Sequence, residues 1–391
     1  MTGKQRVFAA FTHQEPDFAP VSDQLIVSRV ASEILGRYAY TGGGEFARDC
    51  VELLLKGERD LLVERHTQDT IEIHQKLGLD FVRVGTVSSK NYSKEDLPEK
   101  LDEKTYLYKN RETKNYHIYR FSPSSGQFFC IESSFDREGI PALEREIRQI
   151  EKKLKEPFDF SDQSIFEAWD RITQTLGKTT AIAFSAGIAI PMQPVYLECL
   201  ATKPQLIEIF LDYQTMHCIE FTKEAKKHGA DFILGGGDCA TDHGPIYNPK
   251  IFKNMLGPRY SKILKVCKSL NLPYVYRSDG NTKPLWKIWF EEIGFDGYAE
   301  IDKSAGMDLG ELKQLYGEKI TLIGNVDCAK TLVYGTKEEI ELEVKDCIRK
   351  AAKGGGFILT SSNSIHYNIP AKNFCYMVEA ARKYGKYPIE F

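Results

Sequence analysis

LPYVYRSDGN, residues 272–281, is an apolar run that ends abruptly in charged and small residues. A buried strand of a parallel barrel has this pattern where it delivers side chains to the barrel mouth. Arg277 and Asp279 lie two residues apart, so on a strand both side chains point to the same face. Burying a cation and a carboxylate there costs free energy, so their presence indicates a functional role. The segment therefore predicts a barrel strand whose end acts on a bound small molecule.

Strand-like runs alternate with helix-like blocks in much of the chain. Besides residues 273–276, apolar runs lie at residues 19–22, 80–84, 180–184, 231–234, 296–300, 320–323 and 356–359. Past residue 180 a helical pattern precedes most of them, and Thr336 with Glu339 forms a capping box at the start of one helix. Eight strands joined in this way predict an α/β fold, a (β/α)8 TIM barrel, rather than an open sheet. No GxGxxG turn opens a helix, which argues against a dinucleotide-binding fold.

An insertion interrupts the alternation in the N-terminal third. Residues 86–135 contain short aromatic runs separated by polar turns, which predicts an antiparallel β excursion. Residues 141–154 follow with apolar side chains on one side and predict an amphipathic helix. We expect residues 1–391 to form a single barrel domain in which residues 86–154 are an insertion. This insertion is either a lid or a subunit interface, and an interface would imply a homodimer.

Composition excludes several classes of function. The chain has 391 residues, of which 42% are hydrophobic, so it can bury the core of one large barrel. A net charge of −3 without basic runs argues against binding to nucleic acid or to a membrane surface. There is no signal-peptide pattern and no apolar segment near the roughly 20 residues of a membrane span. The nine scattered cysteines, without a CxxC pair, fit reduced thiols in a cytoplasmic enzyme.

Candidate site residues follow the predicted strands, because the active sites of such barrels gather at the C-terminal ends of the strands. These residues are Asp23, Gln24, Arg83, Gln193, Tyr196, Asp238, His243, Arg277, Asp279, Asn281, Glu300, Asn325, Asp327, Ser361, Ser362, Asn363 and His366.

Several of these candidates have a structural alternative. Asp238 follows three glycines and could simply cap a turn or a helix. Asn325 and Asp327 point into the mouth by strand alternation, yet such residues also cap helices. His243 lies in a compact polar loop, where solvated side chains are more common than metal ligands. Arg277 either neutralises a carboxylate inside the barrel or holds a substrate carboxylate with its planar guanidinium.

Ten short segments carry a resemblance to a known family. They are RVFAAF (6–11), EPD (15–17), GP (244–245), NPKIF (248–252), SDGN (278–281), GNVD (324–327), GTKEE (335–339), GGGFIL (354–359), SSNSI (361–365) and EAARKYGKYP (379–388). With them the chain resembles the uroporphyrinogen decarboxylase superfamily over almost its whole length. The resemblance implies a (β/α)8 barrel, in agreement with the strand count.

This superfamily divides between porphyrinogen decarboxylases and corrinoid-dependent methyltransferases. The decarboxylases carry an arginine-rich segment near the N-terminus. In this chain Arg29 and Arg37 do not match that segment. Members that methylate coenzyme M bind zinc through His-x-Cys at the fifth strand and a further cysteine after the eighth. Here the corresponding places are residues 277–279 (RSD) and 362–363 (SN), so the usual ligands of a zinc ion are absent. What remains is the branch similar to the methyltransferase components of anaerobic O-demethylases.

The resemblance thus implies an enzyme that transfers a methyl group from a small methoxylated donor, such as a methyl phenyl ether. The acceptor is the cobalt(I) of a corrinoid (methylcobamide) carried by a partner protein. Two alternatives stay open. One is a decarboxylase or lyase acting on another carboxylated substrate, and the other is a non-catalytic barrel that binds a ligand.

Within this mechanism the candidates take expected roles. Asp279 would give a proton to the leaving oxygen, or Arg277 would stabilise it as an anion. Asp238 and His243 complete the expected catalytic set, and Asp238, His243 and Asp279 are the candidate ligands of a metal ion. The residues expected to bind substrate are Gln193, Tyr196, Tyr274, Asn281, Glu300, Asn325, Asn363 and His366.

Overall fold

The computed structural model describes residues 1–391. Its strands are Phe81–Val84 (β1), Glu99–Lys100 (β2), Thr105–Lys109 (β3), Tyr116–Ser122 (β4), Gln127–Ser133 (β5), Ala181–Phe184 (β6), Phe232–Gly236 (β7), Ala240–Thr241 (β8), Gly244–Pro245 (β9), Tyr274–Arg277 (β10), Gly297–Ala299 (β11), Thr321–Val326 (β12) and Phe357–Ser361 (β13). Its α-helices are Gly3–Phe11 (α1), Ser28–Leu35 (α2), Gly43–Lys56 (α3), Arg59–Leu77 (α4), Ser134–Glu138 (α5), Ile140–Lys153 (α6), Glu167–Leu176 (α7), Pro194–Thr202 (α8), Pro204–Lys227 (α9), Pro249–Ile251 (α10), Gly257–Ser269 (α11), Leu309–Tyr316 (α12), Thr331–Tyr334 (α13), Lys337–Ala351 (α14) and Ala371–Tyr384 (α15).

A parallel barrel is the centre of the molecule. Seven strands form one sheet in the order β1-β6-β7-β10-β11-β12-β13. Residues 20–22 close the sheet into a barrel, because their backbone forms hydrogen bonds with residues at both edges of the sheet. The amide of Leu359 donates to the carbonyl of Pro20 (2.8 Å), and the amide of Asp80 donates to the carbonyl of Val21 (2.9 Å). The predicted TIM-barrel architecture, including the short first strand, is confirmed.

Alternation along the strands divides the apolar side chains into two layers. Small and medium residues, among them Ala183, Leu234, Val275 and Ile323, fill the inside of the barrel. A much larger cluster of 72 buried residues lies between the strands and the surrounding helices. Because side chains alternate, Val275 and Arg277 of β10 share the inner face, whereas its tyrosines belong to the outer layer.

The insertion is an antiparallel sheet in the order β2-β3-β4-β5, followed by the helices α5 and α6. The predicted antiparallel excursion is therefore confirmed. Strand β5 packs on α3, and α6 packs on α9. The turn between β4 and β5 touches the segment after the last barrel strand, where the hydroxyl of Tyr367 donates to the carbonyl of Pro123 (3.1 Å).

The predicted capping box is also confirmed. Thr336 and Glu339 form a reciprocal capping box at the start of α14. All nine cysteines are free thiols. None of the helices combines the length and the apolar character needed to cross a membrane.

The carboxylate of Asp80 connects residues 20–22, which close the barrel, to the helices α1 and α15. Its side chain is only 1% exposed, and one carboxylate oxygen accepts from the amide of Val21 (2.7 Å). The same carboxylate pairs with Arg6 of α1 (3.1 Å) and with Arg382 of α15 (3.0 Å). One buried anion thus joins the first strand, the N-terminal helix and the C-terminal helix.

We predict that Asp80→Ala lowers the free energy of unfolding by about 3–5 kcal/mol, because it leaves the buried amide of Val21 without its acceptor and removes the buried carboxylate that pairs with both Arg6 and Arg382. Urea denaturation followed by circular dichroism measures this loss. The control is Asp60→Ala, whose carboxylate is 78% exposed and whose loss should cost less than about 1 kcal/mol. Equal losses in the two variants would show that Asp80 has no special role in closing the barrel.

Candidate active site

An ion pair between neighbouring strand ends lies at the barrel mouth. Arg277 is the last residue of β10, and its Nη1 donates to Oε1 of Glu300 at 3.2 Å. Glu300 directly follows β11 and is 3% exposed. Its φ of +65° lies in the left-handed region that residues other than glycine rarely adopt. Such a conformation persists only where the surroundings fix it, here around a buried carboxylate.

Gln24 connects this ion pair to the closing strand and to β1. Its Nε2 donates to Oε1 of Glu300 and to the carbonyl oxygen of Asn363 (2.8 Å). Its Oε1 accepts from Nη1 of Arg83 at 3.2 Å. Side chains from distant parts of the sequence therefore form one hydrogen-bonded network across the mouth.

Asp279 is placed in this network by a tight turn. Gly280 has φ +80°, and a Cβ there would lie 2.8 Å from backbone atoms of the β8 hairpin, so the turn requires glycine. Nδ2 of Asn363 donates to Oδ2 of Asp279. Oxygen atoms of Asp238, Asp279 and Glu300 lie within 4.8 Å of one another.

Crowding of carboxylates changes the protonation of Asp279. Burial first, and then the negative charges of Glu300 and Asp238, raise the pKa of Asp279 to about 8. Burial also raises the pKa of Glu300, against the opposing charge of Arg277. Asp279 therefore holds a proton at neutral pH. Because Oδ2 accepts from Asn363, the proton belongs on Oδ1, where it is free to be donated.

A cavity of about 510 Å³ opens from the mouth toward α3 and α4. Arg83, Arg277, Asp23 and Gln24 form its polar end. One of its other walls consists of residues from α3 and α4, among them Phe46, Leu62, His66, Ile73 and His74. Burial lowers the pKa of His66 and lowers that of His74 to about 4, so both imidazoles are neutral at pH 7. These helix residues were not among the sequence candidates, because their apolar spacing is the same as that of an ordinary core face.

Three predicted substrate-binding residues lie away from the mouth. Tyr274 lies in the outer layer and donates its hydroxyl to the carbonyl of Ala186 (2.8 Å), because it is an odd number of residues from Arg277 along the strand. Tyr196 packs against Phe135 of the insertion. Asn325 donates to the carbonyl of Ile301 (3.0 Å) and contacts Cys347 of α14. The contacts observed for these residues are those of packing, and their binding of substrate stays a prediction.

Four other candidates occupy the rim. His243 is exposed in the turn of the β8–β9 hairpin and is outside the acidic cluster, so Glu300 replaces it among the candidate ligands of a metal ion. Gln193 is exposed at the start of α8. Asn281 accepts from the amide of Lys283 (3.3 Å) as a cap. His366 contacts the carbonyl of Cys328 through Nε2 (2.9 Å).

The donor groups at the mouth do not fit a zinc–thiolate site. Cys239 and Cys328 are the nearby thiols, and burial raises the pKa of each to about 11, so neither is a thiolate. The three clustered carboxylates are near enough to hold a metal ion, and oxygen ligands suit Mg²⁺ or Mn²⁺ better than a zinc ion that activates a thiol. However, Arg277 already neutralises Glu300, so a cation would have to compete with the guanidinium.

Comparison with known proteins identifies the family. The family model for uroporphyrinogen decarboxylase (URO-D) matches residues 127–384. The chain belongs to this family. A uroporphyrinogen decarboxylase from Vibrio vulnificus (strain YJ016) is 22% identical over 285 residues, which cover 68% of this chain and 74% of that protein. One from Actinobacillus pleuropneumoniae serotype 5b (strain L20) is 28% identical over 99 residues, which cover 25% of this chain and only 27% of that protein.

A solved structure gives a match over the full length. The methyltransferase from Methanosarcina mazei superposes with a TM-score of 0.65 and covers 98% of this chain and 99% of its own. The two sequences are 19% identical, so the match establishes a shared fold.

Titration of Asp279 provides a test that does not depend on activity. Its folded pKa of about 8 lies above the ordinary value of 3.8, so its contribution to stability falls as the pH rises from about 4 to about 8. We predict that Asp279→Asn gains stability relative to the wild type between pH 5 and pH 9, as measured by urea unfolding at both values. Asp242→Asn, in an exposed turn, is the control and should show no such gain. A pH-independent difference for Asp279→Asn would mean that its carboxyl group is ionised throughout.

Proposed function

We propose that this protein is a methyltransferase that transfers the methyl group of a small methoxylated, aromatic donor to the cobalt(I) of a corrinoid protein. The observation that carries the proposal is the placement of Asp279 at the barrel mouth, where its carboxyl group accepts from Asn363 and lies within 4.8 Å of carboxylate oxygens of Asp238 and Glu300, whose charges together with burial raise its pKa. Arg277 and Asp279 stand where some family members carry zinc ligands, which favours activation of the donor by a proton over activation of a thiol. The shared fold with the methyltransferase from Methanosarcina mazei supports the same choice.

Cleavage of a methyl ether needs help at the oxygen, because an aryl oxygen leaves poorly as an anion. The corrinoid supplies the nucleophile that forms a new bond to the methyl carbon. The electron pair of the broken carbon–oxygen bond stays on the oxygen, which takes the proton from Oδ1 of Asp279. The product is then a neutral phenol, and Asp279 is left as a carboxylate.

Neighbouring residues prepare Asp279 for this step. Asn363 donates to Oδ2 and so holds the carboxyl group in one orientation. Glu300 and Asp238 keep the proton on Asp279 until a stronger base appears in the form of the leaving oxygen. Arg277, two residues before Asp279 at the end of β10, adds positive charge near the oxygen as its negative charge develops. Phe46, Leu62 and Ile73 give the cavity apolar walls for an aromatic ring.

A decarboxylase is the second candidate. Two observations favour it. The chain is similar to uroporphyrinogen decarboxylases, and two arginines, Arg83 and Arg277, line the same cavity. No other lysine or arginine lines that cavity, which is few cations for a substrate with the many carboxylates of uroporphyrinogen. Release of CO₂ from a porphyrinogen, measured without any corrinoid present, would support this candidate over the methyltransferase.

The insertion is proposed to act as a lid in this reaction. Its β4–β5 turn contacts Tyr367, which follows Asn363 and the last barrel strand. A lid next to the mouth would exclude water while the carbon–oxygen bond breaks. This contact favours a lid over a homodimer interface.

We predict that Asp279→Asn lowers the rate of methyl transfer at pH 7 by roughly 10²- to 10⁴-fold, the usual value of a positioned general acid. In the wild type the rate should fall as the pH rises through about 8, because Asp279 then loses its proton. This falling limb should be absent in the variant. The measurement is the appearance of the methyl-cobalt absorption when a cobalt(I) corrinoid is mixed with methoxylated aromatic compounds.

Asp242→Asn is the matched control, since it removes an exposed carboxylate near the mouth and should retain the wild-type rate and pH profile. A wild-type rate for Asp279→Asn would remove Asp279 from the mechanism. Absence of methyl-cobalt with every methoxylated compound tested, together with CO₂ release from a carboxylated substrate, would favour the decarboxylase instead.

A further inference from the structure

A second cavity, of about 450 Å³, lies where the insertion packs on the barrel helices. The walls of this insertion cavity are residues 108–110, 115, 117, 135 and 146 of the insertion, together with Tyr196 of α8 and Phe210 of α9. None of these residues lines the cavity at the barrel mouth. The insertion cavity is therefore a separate pocket, and the step proposed for Asp279 involves no residue of it.

Aromatic side chains give the insertion cavity a preformed apolar wall. Tyr108, Phe135, Tyr196 and Phe210 line it beside the imidazole of His117. Phe135 contacts both His117 and Tyr196 edge to face, with ring centroids 5.5 Å and 5.9 Å away. Tyr196 also contacts Phe210, at 5.1 Å between centroids. Because the rings hold one another in place, the pocket needs no rearrangement to receive a ligand.

Three polar groups on the insertion cavity have no partner in the protein. The carboxylate of Glu146 forms neither a hydrogen bond nor a salt bridge, whereas Glu144 of the same helix pairs with Lys203. The imidazole of His117 and the hydroxyl of Tyr196 also lack hydrogen-bond partners. Tyr196 is only 5% exposed, yet its hydroxyl is not one of the fully buried unpaired atoms of the chain, so it is open to the cavity.

The charge left on the insertion cavity is negative. Burial lowers the pKa of His117 against the opposing charge of Glu146, so the imidazole is neutral at pH 7. Burial raises the pKa of Tyr196, and the charge of Glu146 raises it further, so the phenol keeps its proton. Lys109 is the one cation on the cavity, and it pairs with Glu99 at 3.0 Å. The carboxylate of Glu146 is therefore the uncompensated charge.

We propose that the insertion cavity binds an organic ammonium ion with an apolar body, which Glu146 holds by its charge. A primary ammonium group has three N–H donors. The carboxylate of Glu146, a ring nitrogen of His117 and the hydroxyl oxygen of Tyr196 are acceptors without a donor. Aromatic rings attract a cation and bury the apolar part of the molecule that carries it. The proposal goes beyond methyl transfer and does not depend on it.

Other classes of ligand fit the insertion cavity less well. Glu146 is its only carboxylate, so the cavity lacks the several oxygen ligands that Mg²⁺ or Ca²⁺ requires. Glu146 and His117 together are too few for a zinc site. An anion would be placed next to the unpaired carboxylate and would be repelled by it.

Isothermal titration calorimetry with the wild-type protein tests this inference without any corrinoid or methyl donor. We expect 2-phenylethylammonium to bind, and 2-phenylethanol to bind roughly 10- to 100-fold more weakly, because it has a similar shape and no charge. The N,N,N-trimethyl derivative should also bind more weakly than 2-phenylethylammonium, since it keeps the charge but has no N–H to donate. Phenylacetate, an anion of similar size, should bind most weakly.

Variants locate the site. Glu146→Gln should weaken binding of 2-phenylethylammonium by roughly 10- to 100-fold, and Tyr196→Phe should weaken it by roughly 3- to 10-fold through the loss of one hydrogen bond. Glu151→Gln removes an exposed carboxylate from the same helix and is the matched control, with unchanged affinity. Asp279→Asn should also leave the affinity unchanged, because it alters the acidic group at the barrel mouth and not the insertion cavity.

Absence of 2-phenylethylammonium binding would overturn the inference, as would equal binding of 2-phenylethanol or tighter binding of the trimethyl derivative. So would a Glu146→Gln variant that is folded by circular dichroism and keeps the wild-type affinity. Loss of binding in Asp279→Asn but not in Glu146→Gln would place the ammonium ion at the barrel mouth and would equally refute a site in the insertion cavity.

Discussion

The ion pair between Arg277 and Glu300 holds together the polar network at the barrel mouth. Glu300 accepts from both Arg277 and Gln24, and Gln24 extends the connection to Arg83 and to the backbone of Asn363. Without Arg277, a buried carboxylate would stand uncompensated next to two other acids. With it, Glu300 lies opposite a guanidinium, while burial and the neighbouring charges of Glu300 and Asp238 raise the pKa of Asp279 to about 8. Different environments for adjacent acids are a common basis of acid catalysis.

The polar groups at this mouth are oxygen donors and a guanidinium. Burial raises the pKa of the nearby thiols, Cys239 and Cys328, to about 11, so neither is a thiolate. The shared fold supplies strand ends that converge on one mouth, whereas the side chains at those ends determine what the mouth can do. In this chain they are the carboxyl groups of Asp238, Asp279 and Glu300 and the guanidinium of Arg277.

Sequence patterns predicted the barrel because each strand is a short apolar run, and they placed Arg277 and Asp279 on one face because alternation is a local rule. The same rule, applied to Tyr274, would have assigned that residue to the outer layer. The contacts of Gln24 and Asn363 could not be predicted, since they join residues 59 to 339 positions apart in the sequence. The cavity wall on α3 and α4 could not be predicted either, because the apolar residues of these helices have the same spacing as those of any core-facing helix. Proximity of His243 to Asp238 in sequence was misleading, because the hairpin turn directs it to solvent.

The central claim is that Asp279 protonates the departing oxygen while the carbon–oxygen bond breaks. It is tested most directly by the dependence of the methyl-transfer rate on the leaving group, across methoxybenzoates whose product phenols span a range of pKa values. The account predicts a shallow dependence in the wild type, because the donated proton cancels most of the charge on the oxygen. In Asp279→Asn the dependence should be steep. Equal slopes for both proteins would contradict proton transfer from Asp279.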